Sequence, residues 1–301
     1  MMKTLAVLLT MIVCAAIFSG CDDTFTPDGP YKEKLVVFSV LSTRSDTQFV
    51  RVHTTFRSPI VSEETHVPDA QVTITQGDSV FQLRDTTLER SDTSHFTTRI
   101  KAYVTYALHL QPGLRYDLSV VSASHGNASS HATSLYRGTL LPETDLAGGI
   151  AAHVYPGVNS RAHIVRLYLE YEVREESVWV LKKTEIPNYI SEAGALVYPK
   201  PVSRENTRVV FGASGYATIV SQLRQQYPGG RVRLKGTRFV LTQLDEWFYP
   251  YYSVANGFPD SGTLRLDEPD YTNIEGGFGV FAMSSETVVA ADTSGHAITH
   301  P

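Results

Sequence analysis

Residues 273–285 read NIEGGFGVFAMSS, and this glycine-rich segment distinguishes two incompatible folds. Gly277, Gly279 and Ala282 fit the G-x-G-x-x-A pattern of dinucleotide-binding folds, in which a parallel strand precedes the glycines and a helix follows them. Residues 286–290 instead continue as β-like sequence, with no βαβ pattern nearby. The segment therefore predicts the start of a C-terminal strand, whose glycines let the backbone bulge or approach another element closely.

The chain between residues 34 and 137 contains short β-branched runs that are separated by turn residues. Short strands at such regular spacing are typical of antiparallel sandwiches. The sequence therefore predicts an immunoglobulin-like β-sandwich over residues 34–137, without the Cys–Trp–Cys core of antibody domains. The runs are residues 35–41, 49–53, 70–75, 79–83, 96–100 and 115–121.

A second β-rich domain is predicted over residues 138–290. Residues 163–173 alternate between apolar and polar side chains, and a short turn leads from them into a second run at residues 178–181. This pattern predicts a hairpin. Further strands are predicted at residues 208–211, 231–235, 238–241 and 278–282.

Two short helices are predicted among these strands. Residues 214–227 show helical spacing of apolar side chains, with Ser214 as the cap. Residues 242–257 begin with a Thr-x-x-Asp capping signal, and Pro250 should either kink that helix or restart it. The predicted fold class is thus mainly β: an N-terminal immunoglobulin-like β-sandwich and a second β-rich domain carrying two short helices. Residues 291–301 are predicted to be a flexible tail.

The N-terminus has the features of an export signal. An apolar run of 14 residues, 5–18, is interrupted only by Thr10 and follows Lys3. It is too short for a membrane span, so residues 1–20 are predicted to be a signal peptide. The Ser-Gly-Cys21 that follows resembles the bacterial lipobox. We therefore expect Cys21 to be acylated and residues 21–33 to form a lipidated tether.

Asp22 and Asp23 follow this cysteine directly. They resemble an acidic signal for display on the cell surface, and a solvated tether explains them equally well. Cys14 and Cys21 are the two cysteines of the chain. Since the first would leave with the signal peptide and the second would be the anchor, no disulfide is expected.

Composition argues against several classes of partner and site. The chain has 26 Lys and Arg against 31 Asp and Glu, a net charge of −5, and no basic run, so nucleic acid is not expected as a partner. The ten histidines are scattered without HExxH or paired-cysteine spacing, and we expect no metal and no cofactor. The Gly212–Gly215 segment lacks the spacing of a hydrolase nucleophile turn.

An aromatic cluster is the strongest candidate for a contact with a ligand or partner. It consists of Trp247, Phe248, Tyr249, Tyr251 and Tyr252. Aromatic side chains offer large, rigid contact area, which suits a sugar, a peptide or a protein when they are exposed. The alternative is that they pack the second helix onto the sheet. Five such residues on one helix cannot all face inward.

The cluster also belongs to a longer pattern. Residues 244–252, LDEWFYPYY, and residues 266–285, which end in NIEGGFGVFAMSS, closely resemble a Bacteroidota lipoprotein family described as domain of unknown function 4249. The family's closing signature maps onto Asn273, Glu275, Gly276, Gly277 and Gly279, to which we assign a structural role. The resemblance implies an outer-membrane lipoprotein, with a TonB-dependent transporter as its partner, and it transfers no catalytic residue.

Three functions remain open from the sequence. The first is a non-enzymatic binding or accessory lipoprotein of the outer membrane that works beside such a transporter in uptake. The second is a surface hydrolase with a site assembled from distant residues, and the third is a structural or adhesive module. A polar pocket with a perturbed carboxylate or histidine would favour the hydrolase. An exposed aromatic patch in a groove would favour binding.

Overall fold

The structure is a computed structural model that describes residues 32–55, 66–89, 99–144, 148–188, 206–250 and 272–291, and the backbone of three short strands between residues 190 and 203. The described chain consists mainly of strands. The strands are β1 (Leu35–Ser42), β2 (Gln48–Thr54), β3 (Gln71–Gln76), β4 (Ser79–Gln82), β5 (Arg84–Leu88), β6 (Ile100–Thr105), β7 (Arg115–Ser122), β8 (Gly126–Thr133), β9 (Thr139–Thr144), β10 (Ile150–Tyr155), β11 (Ala162–Glu175), β12 (Val178–Ile186), β13 (Ile190–Glu192), β14 (Ala195–Val197), β15 (Val202–Ser203), β16 (Thr207–Phe211), β17 (Val232–Leu244) and β18 (Gly277–Ala291). Helix α1 spans Ala213–Gln226.

The largest sheet has the strand order β12-β11-β17-β18-β1-β2-β6-β5, with β15 paired to β11. Strand β18, from the C-terminal end of the chain, lies between β17 and the first strand, β1. It runs parallel to β1 and antiparallel to β17. Three smaller sheets accompany it, with the orders β4-β3-β7-β8, β16-β10-β9 and β13-β14.

A first core lies between the large sheet and the sheet β4-β3-β7-β8. It contains apolar side chains of β1, β2, β3, β7 and β8, and β18 adds Phe281 and Met283. Val72 and Ile74, for example, alternate with half-exposed polar residues on β3 and are fully buried. Two sheets that bury alternate residues against each other form a β-sandwich. The predicted fold class, mainly β with a sandwich, is confirmed.

A second core lies between the other half of the large sheet, the sheet β16-β10-β9 and α1. Leu167 and Leu169 of β11, Phe239 and Leu241 of β17, and Ala291 of β18 are among its buried side chains. Strand β18 therefore contributes to both cores. The domain boundary predicted between residues 137 and 138 stays a prediction. The large sheet contains strands from both sides of that boundary.

Several element predictions hold, and others need correction. The hairpin β11–β12 is present, with Glu175 opposite Val178. Residues 232–235 and 238–241, which belong to two predicted strands, lie in the single strand β17. Its ladder with β11 continues through this region with a register shift between Leu234 and Gly236. Strands β8, β9 and β10 were not predicted. Their segments are rich in small or polar residues, which weakens the alternating pattern.

The predicted helix caps were wrong. Ser214 lies inside α1, whose first flanking residue is Gly212, and no side chain caps the helix there. Thr242 lies within β17, and the second helical segment starts only at residue 248, with described residues ending at 250. The side chain that caps this segment is Asp245, because its Oδ1 accepts the backbone N–H groups of Trp247 and Phe248.

Candidate functional site

The site is organised by the first half of β18. Residues 277–284 pair with β1, and residues 284–291 pair with β17, so the strand changes partner at Ser284. Because β17 ends at Leu244, the backbone groups of Phe281 and Met283 that point away from β1 have no strand beside them. Buried backbone groups need hydrogen-bond partners. Side chains supply them here.

Asn273 and Asp245 take the place of the missing strand, with three side-chain hydrogen bonds and one backbone hydrogen bond. Asn273 donates its Nδ2–H to the carbonyl of Phe281 (2.7 Å) and accepts the N–H of the same residue (2.9 Å). Asp245 accepts the N–H of Met283 on Oδ2 at 2.7 Å, and its own N–H donates to the Met283 carbonyl at 3.2 Å. The signature asparagine and the capping aspartate thus continue the sheet where β17 stops.

Asp245 is buried, with 5% of its surface exposed. Burial raises the pKa of its carboxyl to about 7, although the backbone N–H donors of Phe248, Met283 and Trp247 act in the opposite direction. Both carboxylate oxygens are engaged by these donors. This one side chain joins β18 to the start of the aromatic segment.

A cavity of about 510 Å³ opens beside this junction. We call it the Trp247 cavity. Its walls come from the end of β8, the turn before β11, and the segment after β17. The lining residues are His131, Ala132, Thr133, Asn159, Ser160, Arg161, Asp245, Glu246 and Trp247. Its volume lies within the range of small-ligand sites in proteins.

The polar residues of the cavity wall differ in how many of their hydrogen-bonding groups are already bonded within the protein. Asn159 accepts the N–H of Tyr136 and donates to the carbonyl of Ser134, so both ends of its amide are occupied. Ser160 donates to the carbonyl of Ala162. These bonds fix the turn that presents Arg161 to the cavity.

Arg161 is exposed, and its backbone N–H donates to the carbonyl of Leu244 at 2.8 Å. Its guanidinium carbon lies 5.6 Å from the centroid of the Tyr249 ring, within range of a cation–π contact. Among the described residues, no carboxylate lies within ion-pair distance of Arg161. The arginine is therefore held in place without its charge being neutralised.

The aromatic cluster is divided between packing and the cavity. Trp247 and Phe248 are half-buried against Phe38, Val280 and Ala282, and Tyr249 packs against Ile164 and Leu244. Trp247 also lines the cavity. Trp247 thus packs on the sheet and also borders the cavity, and its role as a contact surface stays a prediction. Tyr251 and Tyr252 lie outside the described residues.

The signature glycines lie where the backbone of β18 approaches its neighbours. A Cβ on Gly279, at φ +111°, would lie 2.0 Å from the Val37 carbonyl oxygen, and one on Gly277 would lie 2.6 Å from that of Leu35. A Cβ on Gly276, at φ +80°, would lie 2.3 Å from the Asn127 carbonyl oxygen. Glu275 exchanges two backbone hydrogen bonds with Ser129 of β8. The signature therefore joins β18 to β1 and β8.

The remaining predictions about sites have different outcomes. Cys21, Asp22 and Asp23 lie outside the described residues. Across the described part of the chain, no three His, Cys, Asp or Glu side chains lie close enough together to hold a metal ion. Within the same ranges, no helix is both long and apolar enough to cross a membrane.

Sequence reasoning missed Arg161, His131 and the role of Asp245. Arg161 lies 86 positions before Trp247 and has no motif around it. Asp245 was read as the fourth residue of a capping signal that began at Thr242. A cue was present, since an Asp directly after an apolar strand and three residues before Phe248 also fits an N-cap.

Comparisons with known proteins identify a family. A family model described as domain of unknown function DUF4249 matches residues 22–289. No curated protein matches the chain. Among solved structures, the chain is similar to the C-terminal globular domain of an oligosaccharyltransferase from Pyrococcus abyssi, with 12% identity and a TM-score of 0.25. That match covers 69% of this chain and 44% of the other, so the chain spans less than half of that structure's length. Because the family model covers nearly the whole sequence, the chain belongs to the family described as domain of unknown function DUF4249.

Proposed function

We propose that this protein is an outer-membrane lipoprotein, anchored through acylated Cys21, that binds a small ligand and works beside a TonB-dependent transporter in uptake. The lipobox-like sequence before Cys21 supports the anchor. The resemblance of residues 266–285 to a lipoprotein family supports the transporter as partner. Asp22 and Asp23 fit both display on the cell surface and a solvated tether.

The observation that supports binding is the Trp247 cavity. It combines an aromatic ring with exposed polar side chains from three separate segments, so it offers both packing area and hydrogen-bonding groups to a small molecule. Trp247 packs against the cluster of Phe38, Val280 and Ala282, so its side chain is already ordered before a ligand arrives. Less side-chain freedom is then lost on binding, which favours affinity.

A specific observation also favours the hydrolase. Asp245 lines the cavity, and its pKa is raised to about 7, as is common for catalytic acids and bases. Its geometry argues for a structural role, because three backbone N–H groups occupy its two oxygens. A base needs an accessible lone pair that faces the substrate. Binding is therefore the better-supported function.

Ligand binding can be tested with the two tryptophans of the chain. Trp247 lines the cavity, while Trp179 lies on β12 under Arg233, 3.9 Å from the guanidinium carbon to the ring centroid. In ¹⁵N-labelled mature protein, a panel of tripeptides and short oligosaccharides is added and the two indole N–H signals are followed. We expect at least one compound to shift the Trp247 signal and leave that of Trp179 unchanged. Equal shifts, or none across the panel, would overturn the cavity as a binding site.

The partner is tested separately with the full-length tagged chain, purified from detergent-solubilised outer membranes. We expect a TonB-dependent transporter to be recovered with it. The Cys21→Ala variant, which lacks the acylated residue, should fail to reach the membrane fraction. Recovery of the anchored chain without any such transporter would contradict the partner, and a membrane-bound Cys21→Ala variant would contradict the anchor.

A further inference from the structure

We infer that the ligand of the Trp247 cavity is a short peptide, which docks as an extended strand against the free edge of β8 at His131 and Thr133. This inference rests on the proposed function, since it names the class of ligand for the same cavity. It depends on the backbone of β8 rather than on the charges or the aromatic ring of the cavity wall.

The cavity runs along the edge of β8. Its wall includes three consecutive residues of that strand, His131, Ala132 and Thr133. Successive side chains of a strand point to opposite faces of the sheet. Accordingly, Ala132 is buried in the first core, while His131 and Thr133 are exposed. A cavity that reaches all three residues therefore follows the edge of the strand and does not lie over one face.

The backbone groups of His131 and Thr133 point to this edge. β8 is the last strand of the sheet β4-β3-β7-β8, so β7 covers its other edge. Ser129 uses both its N–H and its carbonyl to bond Glu275, on the side away from β7. Because the backbone groups of successive strand residues alternate between the two edges, those of His131 and Thr133 point the same way as those of Ser129.

The protein covers this edge on both sides of the cavity. On one side, Glu275 and Ser129 exchange backbone hydrogen bonds of 2.8 and 2.9 Å. On the other side, the amide of Asn159 bonds the Ser134 carbonyl and the Tyr136 N–H, both at 2.9 Å. Among the described residues, no strand pairs with β8 between these two points. An uncovered stretch of strand edge is a template for another polypeptide.

The length of the open edge selects a short peptide. His131 and Thr133 are two positions apart, which is about 7 Å at the rise of a strand, and about three extended residues span that distance. A longer added strand would meet Glu275 at one end and Asn159 at the other. An extended peptide alternates its N–H and carbonyl groups at the same period as β8, whereas an oligosaccharide has no such alternation.

The inference is tested first on the unaltered mature protein, labelled with ¹⁵N. The probes are acetylated tripeptide amides with alanine in the middle and alanine, valine, phenylalanine or lysine at both outer positions. We expect at least one of them to slow hydrogen exchange of the His131 and Thr133 N–H groups by at least about tenfold, since they become bonded. The N–H of Ala132 points to β7, so its exchange should change by less than about twofold.

A matched probe isolates the backbone of the peptide. The same tripeptide with its three residue nitrogens methylated keeps every side chain and loses the donors that would pair with β8. We expect it to bind at least about tenfold more weakly, measured by the Trp247 indole signal, because more than one hydrogen bond is lost.

Two proline variants isolate the edge of β8. Thr133→Pro removes an outward N–H at the cavity, while Asn127→Pro removes an outward N–H of the same edge outside the cavity wall. Proline is tolerated at edge positions whose N–H points away from the sheet. Thr133→Pro should therefore bind the tripeptide at least about threefold more weakly than Asn127→Pro does.

Three results would each overturn the inference: no slowed exchange at His131 and Thr133 with any tripeptide, equal binding of the methylated peptide, or equal binding by the two proline variants. The first two measurements use the unaltered chain, so they decide the inference even if Thr133→Pro fails to fold. An oligosaccharide of the wider panel that shifts the Trp247 signal would then keep the proposed function. No shift with any compound would overturn both.

Discussion

The two halves of β18 differ in their burial and in their pairing partners. Residues 279–285 are buried at every position, because the first sandwich core covers one face and Phe38 with Trp247 covers the other. Residues 286–290 are half-buried or exposed, as expected for a strand with one solvated face. The first half is paired with β1 on one side and with two side chains on the other, while the second half pairs with β17.

The difference shows where sequence is constrained. In the first half, glycines must allow close backbone contact, and Asn273 and Asp245 must replace a strand. In the second half, pairing with β17 supplies the backbone hydrogen bonds, and many residue types are compatible with a paired strand. Two of the signature glycines, Gly277 and Gly279, lie in this first half, where an added Cβ would meet the backbone of β1.

The largest effect is expected from Gly279→Ala. The added Cβ would lie 2.0 Å from the Val37 carbonyl oxygen at a φ of +111°, so β1 and β18 would have to separate. We expect a loss of at least about 3 kcal/mol in the free energy of unfolding, measured by urea denaturation.

Gly126→Ala is its matched control, because Gly126 also has a positive φ, +85°, but has open space around it. It should cost about 1 kcal/mol, from backbone strain alone. Equal losses in the two variants would show that close packing of β18 on β1 does not constrain the first half.

The second largest loss of stability is expected at Asn273, one of the two residues that take the place of β17. Asn273→Asp keeps the acceptor for the Phe281 N–H and removes the donor to its carbonyl, leaving two oxygens that face each other at about the present distance of 2.7 Å. We expect a loss of about 2 kcal/mol by the same denaturation measurement.

Asn127→Asp on β8 is the control, since Asn127 is exposed and gains the same charge. It should change the stability by less than about 0.5 kcal/mol. A similar loss in both variants would mean that Asn273 contributes through charge rather than through its two hydrogen bonds.

The sequence allowed parts of this arrangement to be predicted. Strand β11 was found because Val165, Leu167 and Leu169 alternate with polar residues, and period two is a local property. Strand β8, GNASSHAT, was missed because Ala128 and Ala132 are too small to give that signal, although both are buried in the first core.

The Trp247 cavity could be predicted only in part. The aromatic residues were visible because they are adjacent in sequence. Arg161 and His131 were not, because the cavity depends on β8, β11 and the end of β17 meeting in space, and no local pattern encodes that meeting. The replacement of a strand by Asn273 and Asp245 likewise depends on where β17 ends.

A third effect concerns the pH dependence of the junction. Burial raises the pKa of Asp245 from 3.8 to about 7, so the folded chain holds a proton that the unfolded chain has already lost. Its contribution to stability is full below about pH 3.8 and is lost as the pH rises through about 7. Wild type should therefore gain stability relative to Asp245→Asn as the pH falls from about 8 to about 5, by up to about 1.4 kcal/mol per unit.

The comparison with Asp245→Asn removes the effect of His163. Burial lowers the pKa of His163 to about 4, so its contribution is lost as the pH falls below its ordinary value of 6.5, in the opposite direction. Because His163 is present in both proteins, it cancels in the difference. Parallel stability curves for the two proteins would show that Asp245 does not titrate in this range.

The smallest effect is expected in the second half of β18. Val288 is 36% exposed, and Val288→Thr should change the free energy of unfolding by less than about 0.5 kcal/mol. The same substitution in the first half, Val280→Thr, places a hydroxyl at a position with 0% exposure, in a buried cluster with Phe38 and Ala282. That hydroxyl would lose its hydrogen bonds to water, and we expect the free energy of unfolding to fall by about 1–3 kcal/mol. Because the two changes are chemically identical, the difference between their urea midpoints measures the contrast between the halves directly. Equal midpoints would mean that burial on both faces does not make the first half more sensitive to substitution. The glycines, Asn273 and Asp245 would then be the source of that sensitivity.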